Sequence, residues 1–228
     1  MSIDEKVLAE FYNIITESKQ DKYDQIASER TKYLTVVMES ISKEHNSSAV
    51  MRTCDCFGIQ DLHTIEKGQK KHEPMRDIAL GAGNWVDLHT YDSGDNSSIE
   101  CLKKLKNQGY KIVATTPHTD IDINDIDIDQ PIALIFGTER TGISKEVEEM
   151  ADELVKIPMY GFTESFNISV SAAVALNILR NKLEHSNTEW KLTKDEQVKL
   201  KIQWSKKIIR DGEKVEKEIR RRISKNKL

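Results

Sequence analysis

The segment LIFGTERTGISKE runs from Leu134 to Glu146. An apolar run bounded by Pro131 ends at Gly137, and a second glycine, Gly142, follows five residues later. This glycine spacing is that of a phosphate-binding P-loop, which needs Lys then Ser or Thr after the second glycine. Ile143 and Ser144 stand there instead, which excludes a P-loop nucleotide hydrolase. The stretch reads as a buried strand, a glycine turn and a short helix. Ser144 caps that helix, and Glu146, Glu148 and Glu149 lie in its first turns, where negative charge is favoured.

The same alternation continues on both sides. Upstream, YLTVVME (33–39), DLHTIE (61–66), WVDLHTY (85–91) and YKIVATT (110–116) read as strands. Downstream, ELVKIPM (153–159) reads as the last strand. Helical spacing appears over 4–28, through Val7, Leu8, Phe11, Ile14 and Ile15, then over 46–57, 98–108 and 167–183. Asn46 or Ser47 suits the N-cap of the second helix, and Gly58 its end. Residues 195–225 read as one or two further helices, interrupted near Asp211-Gly212. The 67–84 stretch and the acidic HTDIDINDIDIDQP read as loops. Short strands alternating with helices imply an α/β fold, a parallel sheet flanked by helices. Ligands of such sheets sit beyond the strands' carboxyl ends. The loops Thr115–His118, Gly137–Gly142 and Ile157–Asn167 therefore point to one pocket.

Composition bounds the function class. The 228 residues are 38% hydrophobic and 32% charged, and no apolar run reaches the roughly eighteen residues of a membrane span. The acidic N-terminus lacks an apolar signal core, and three cysteines give no disulfide or zinc spacing, which together suit a cytoplasmic protein. Formal net charge is −4, unevenly spread. Residues 191–228 hold 14 Lys/Arg against 6 Asp/Glu, and the other 190 hold 20 against 32. A basic tail on an acidic body implies an anionic partner.

Three stretches share one order: EHNSSAVMRTCDCFG (Glu44–Gly58), IFGTERTGISKEVEEMAD (Ile135–Asp152) and IPMYGFTESFNISVSAAVAL (Ile157–Leu176). Together they resemble the signature motifs of the SpoU-class RNA 2′-O-ribose methyltransferases, over about residues 33–183. The resemblance implies the SPOUT fold, with a C-terminal deep trefoil knot, an exception to the rule that chains do not knot. It further implies S-adenosyl-L-methionine as cofactor, no metal, and a homodimer. The helical N-terminal extension (1–32) and basic C-terminal extension (186–228) around the 33–185 domain are those of the branch that methylates guanosine 18 of tRNA. Another tRNA position, rRNA, or a non-catalytic RNA-binding relative remain alternatives.

Carried over by motif, the resemblance assigns catalysis to Arg52, Asn46, Glu139, Ser165 and Asn167. It assigns cofactor binding to Thr115, Gly137, Gly142, Ile157 and Phe166, the last departing from the usual Leu. Ser48, Arg52 and Asp55 fall on one polar face of their helix, with Ala49, Val50 and Phe57 able to face the core. The family's chemistry deprotonates a ribose hydroxyl. Arginine keeps its proton in proteins, so Arg52 fits phosphate and alkoxide stabilisation, with Arg52 as base the alternative. In the tail, Lys214, Lys217, Arg220, Arg221 and Arg222 are the RNA-binding candidates, with Lys225 and Lys227 nearby.

Overall fold

The apolar runs at 33–39 and 131–137 become the two central strands of a sheet, which is why they read as continuous rather than alternating. The computed structural model describes residues 1–41, 43–66 and 75–225. In chain order its elements are α1 (Ile3–Tyr12), α2 (Glu17–Ser28), β1 (Leu34–Glu39), α3 (Glu44–Cys56), β2 (Asp61–Ile65), α4 (Arg76–Ala79), β3 (Asp87–Tyr91), α5 (Ser97–Asn107), β4 (Lys111–Thr115), β5 (Ile132–Phe136), α6 (Lys145–Met150), β6 (Glu153–Val155), α7 (Ile168–Glu184), α8 (Lys194–Ile208) and α9 (Gly212–Lys225).

All strand pairings are parallel, in the order β3-β2-β1-β5-β4-β6. Every residue of β1 and β5 is buried. One face packs on α3 and α7, through Val50, Met51 and Cys54 of the first and Ala172, Ala175, Leu176 and Leu179 of the second. The other packs on α5 and α6, through Cys101, Leu102, Leu105 and Val147. Burying a Leu or Ile side chain contributes about 1.5–3 kcal/mol, so these layers hold the sheet's carboxyl edge firmly. The chain divides into two compact units, residues 31–190 with the sheet, and residues 1–30 with 191–228. The second is helical, its core built from Val7, Leu8, Phe11, Ile202 and Ile219.

The expected helix over 4–28 is two helices. The β-branched run Ile14-Ile15-Thr16 weakens helix there, and Gln20 Nε2 donates to the Tyr12 and Ile15 carbonyls, at 2.7 and 3.1 Å. Ile14 is consequently exposed. The cap of α3 is Lys43, with no side-chain bond, so neither Asn46 nor Ser47 caps it. Ser48 is not on a solvated polar face. It is buried, donating to Glu44 O at 2.8 Å and accepting from Met75 N at 2.9 Å. The last strand stops at Val155, because Lys156 pairs with the acidic loop at Ile121–Asp122 instead. The expected loop at 67–84 contains α4 and a 3-10 turn at Ala82–Asn84; its residues 67–74 lie outside the described residues.

Candidate active site

In an open parallel sheet ligands sit beyond the carboxyl ends of the strands. A cavity of about 400 Å³ opens beyond this carboxyl edge. It is lined by Thr115–His118 after β4, Phe136–Ile143 after β5, Ile157, Met159 and Glu164–Phe166 after β6, and Ile168 and Ser171 of α7. The three loops singled out in the sequence thus share one pocket.

The loop after β5 is held shut by its own backbone. Thr138 N–H donates to Gly142 O at 2.9 Å and Gly142 N–H to Thr138 O at 3.0 Å. A Cβ on Gly137 would lie 2.2 Å from Gly142 carbonyl atoms, and Gly142 has φ +68°. Both glycines are therefore required by geometry, the first by close approach and the second by a left-handed backbone. Thr115 Oγ1 donates to Ile135 O at 2.9 Å, and Thr116 N–H to Val155 O at 2.9 Å. These bonds tie the β4 loop to the strands on either side.

Asn46 lies in the first turn of α3, only 2% exposed. Its Nδ2 donates to the Glu139 carboxylate, and its Oδ1 accepts from Asn167 Nδ2 at 3.3 Å. Asn167 caps α7, its Oδ1 accepting from Ser169 N–H at 2.9 Å. One chain of hydrogen bonds therefore links all three motifs. Glu139, Ser165, Thr115, Gly137, Gly142, Ile157 and Phe166 line the cavity, whereas Asn46 and Asn167 reach it only through this chain. Arg52 stands apart. It is exposed on α3, outside the lining, with no partner among the described residues. Sequence reading missed Glu39, the buried last residue of β1 that accepts bonds from Ser144. Its one signal is an acid closing an apolar run.

Cavity electrostatics lean acidic, with Glu139, Glu148 and Glu164 against Arg140 and His118. A triphosphate is disfavoured there and a ligand with cationic centres favoured. No group of three metal-ligating side chains occurs among the described residues, and no described helix is long and apolar enough to cross a membrane.

The basic candidates lie on α9. Lys214 pairs with Asp211 at 2.9 Å, Arg221 with Glu218 at 3.0 Å and Arg222 with Glu10 at 3.4 Å. Arg220 bonds Glu216 and Asp4, both at 2.8 Å, while Lys217 is exposed without an ion pair among the described residues. Lys227 lies outside the described residues.

Comparison with known proteins agrees with this architecture. The SpoU rRNA Methylase family profile matches residues 33–177. The tRNA (guanosine(18)-2'-O)-methyltransferase of Borreliella burgdorferi is 36% identical over 211 residues, 92% of this chain and 93% of that protein. The protein of the same name from Thermus thermophilus is 33% identical over 162 residues, 71% of this chain and 81% of its own. Among solved structures, the A. aeolicus TrmH/SpoU tRNA modifying enzyme superposes with TM-score 0.76 at 29% identity, covering 85% of this chain and 98% of its own. A profile spanning the sheet and all three pocket loops, with likeness along nearly the whole chain, has one reading: the chain belongs to the SpoU rRNA Methylase family.

Proposed function

We propose that this protein transfers a methyl group from S-adenosylmethionine to the ribose 2′-hydroxyl of guanosine 18 in tRNA. The observation that carries this is a cavity lined by the second and third motifs and the β4 loop, in a chain alike over 92% of its length to a relative named for that reaction. The residues present fit the cofactor. The volume is within the range of small-molecule sites. Phe136, Ile143, Ile157 and Phe166 offer apolar walls for a nucleoside, and the carboxylates suit a sulfonium and an ammonium.

When bound, the cofactor supplies an electrophilic methyl carbon. Backbone groups around Thr115, Gly137, Gly142, Ile157 and Phe166 would hold it, since the glycine turn exposes main chain rather than side chain. Asn46, itself held by Asn167, holds Glu139, and Ser165 lines the same cavity. Arg52, exposed and without a partner among the described residues, is available to meet RNA. Because arginine keeps its proton, we assign it the substrate phosphate and the charge growing on the 2′-oxygen rather than the role of base. Positioning supplies much of the remaining rate.

We assign the deep trefoil knot of the SPOUT fold to the segment from β6 into α7, and RNA binding to the basic face of α9. A homodimer through the knotted region fits the partly exposed apolar residues of α7, Val170, Ala173, Val174 and Ile178. A cytoplasmic location fits the substrate. The test is thermal unfolding with ligands: S-adenosylhomocysteine raises the melting temperature and ATP does not, because only a bound ligand stabilises the native state. Equal responses to both would overturn the cofactor assignment.

A further inference from the structure

We infer that Glu39 is a positioning residue for the cofactor loop, bracing its far end against the sheet so that the cavity stands preformed. The inference rests on the cofactor assignment above. Glu39 ends β1 and is 2% exposed. Its Oε1 accepts from Ser144 Oγ at 2.6 Å and from Ser98 Oγ at 2.7 Å, and its Oε2 accepts from Ser144 N–H at 2.8 Å. Hydrogen bonds to a carboxylate are about twice as strong as neutral ones, and a buried carboxylate left without donors is costly.

Ser144 is where this matters for function. It follows Ile143, the last cavity-lining residue of the β5 loop, and caps α6, which contributes Glu148 to the same lining. The near end of that loop is fixed by Gly137 and the Thr138–Gly142 pair. The far end is fixed by both donors of Ser144 on one carboxylate. Ser98 holds the same carboxylate from α5, away from the cavity. So Ser144 carries the brace to the cofactor loop, and Ser98 only anchors the post. A mobile loop must be ordered when ligand binds, and that cost weakens affinity. Loss of the Ser144 side should therefore appear in cofactor affinity more than in turnover at saturation.

The experiment measures S-adenosylmethionine dissociation constants by calorimetry, with kcat at saturating cofactor, for the full chain. In Glu39→Gln an amide hydrogen faces the donors of Ser144; Ser144→Ala removes the hydroxyl bond to Glu39 and the weak cap bond from Val147 N–H, and keeps the backbone bond to the carboxylate. Both should raise the dissociation constant, the first about tenfold or more, with kcat changed less than about threefold. Ser144→Thr keeps the hydroxyl and should restore affinity. Ser98→Ala should lower the melting temperature while leaving affinity within about twofold. Should Glu39→Gln fail to fold, the Ser144 pair still decides. The inference is overturned if Ser144→Ala binds like the wild type, or if Ser98→Ala weakens binding as much, since then stability alone is at work. It is equally overturned if kcat falls at constant affinity. A wild-type protein that binds no S-adenosylmethionine would overturn the cofactor assignment and the brace with it.

Discussion

Arg52 and His63 are two side chains whose environments give opposite expectations. Arg52 is exposed and unpartnered among the described residues, so its removal should cost little stability. Arg52→Ala should abolish methyl transfer with cofactor binding nearly intact. Arg52→Lys should also fail, because a point charge does not reproduce a planar fork of donors. A lysine variant keeping more than about a tenth of wild-type turnover, a loss under ~1.4 kcal/mol, would show the fork is dispensable. His63 is 4% exposed on β2. Burial pushes its pKa down to about 3, with His89 and Lys104 adding repulsion and Asp61 partly offsetting them. The folded protein therefore binds fewer protons than the unfolded chain below the ordinary histidine value of about 6.5. His63's contribution is fully present above that pH and is lost as pH falls toward 3. Melting temperature should drop steeply between about pH 6.5 and 4, and His63→Gln should flatten the drop; parallel curves would remove His63 from the cause. The site was partly legible at this scale. Asn46, Glu139 and Asn167 were singled out by motif, and the structure joins them in one hydrogen-bonded chain. Glu39 was not legible, because its donors come from residues 98 and 144 and nothing local to β1 announces them.

Among the elements, α9 shows how one helix divides its labour. Val215, Ile219 and Ile223 recur every four residues and face the helical unit's core. Lys214, Lys217 and Arg221 lie on the exposed remainder, with the Lys214 side chain 82% exposed. Arg220 is tied to Asp4 and Glu216. Deleting α9 would remove Ile219 from the core, so charge must be tested by substitution. Changing Lys214, Lys217 and Arg221 to Gln should weaken tRNA binding and flatten its log–log salt dependence by about two contacts' worth, roughly 0.7 to 0.9 each. Exposed ion pairs such as Lys214–Asp211 are worth about 0–1 kcal/mol, so phosphate can replace them. Arg220→Gln should instead lower stability and leave the slope unchanged. Unchanged slopes in the triple variant would make α9 a solvated helix only. Strand and helix types were legible because β5 is apolar throughout, β1 departs from that only at Thr35 and Glu39, and α6 and α7 begin at capping residues, Ser144 and Asn167. The break between α1 and α2 was not, since it depends on the Gln20 side chain reaching back to two carbonyls.

For the whole molecule, the parallel alternation announced an α/β fold, but strand order did not follow from sequence pattern. That β5 inserts between β1 and β4 is fixed by packing among residues far apart in the chain. This insertion places the loops after β4 and β5 together, and so makes the cavity. Light scattering at micromolar concentration should give twice the mass of the 26.1 kDa chain; a monomer would defeat the proposed dimer. The central claim is the reaction itself, and the most direct measurement maps the product. Unmodified tRNA and the same tRNA carrying 2′-deoxyguanosine at position 18 are each incubated with the protein and S-adenosylmethionine, then digested and sequenced for methylated nucleosides. The expected result is 2′-O-methylguanosine at position 18 in the first RNA and no methylation in the second. A methyl group on any base, or one that still appears in the 2′-deoxy RNA, would contradict it.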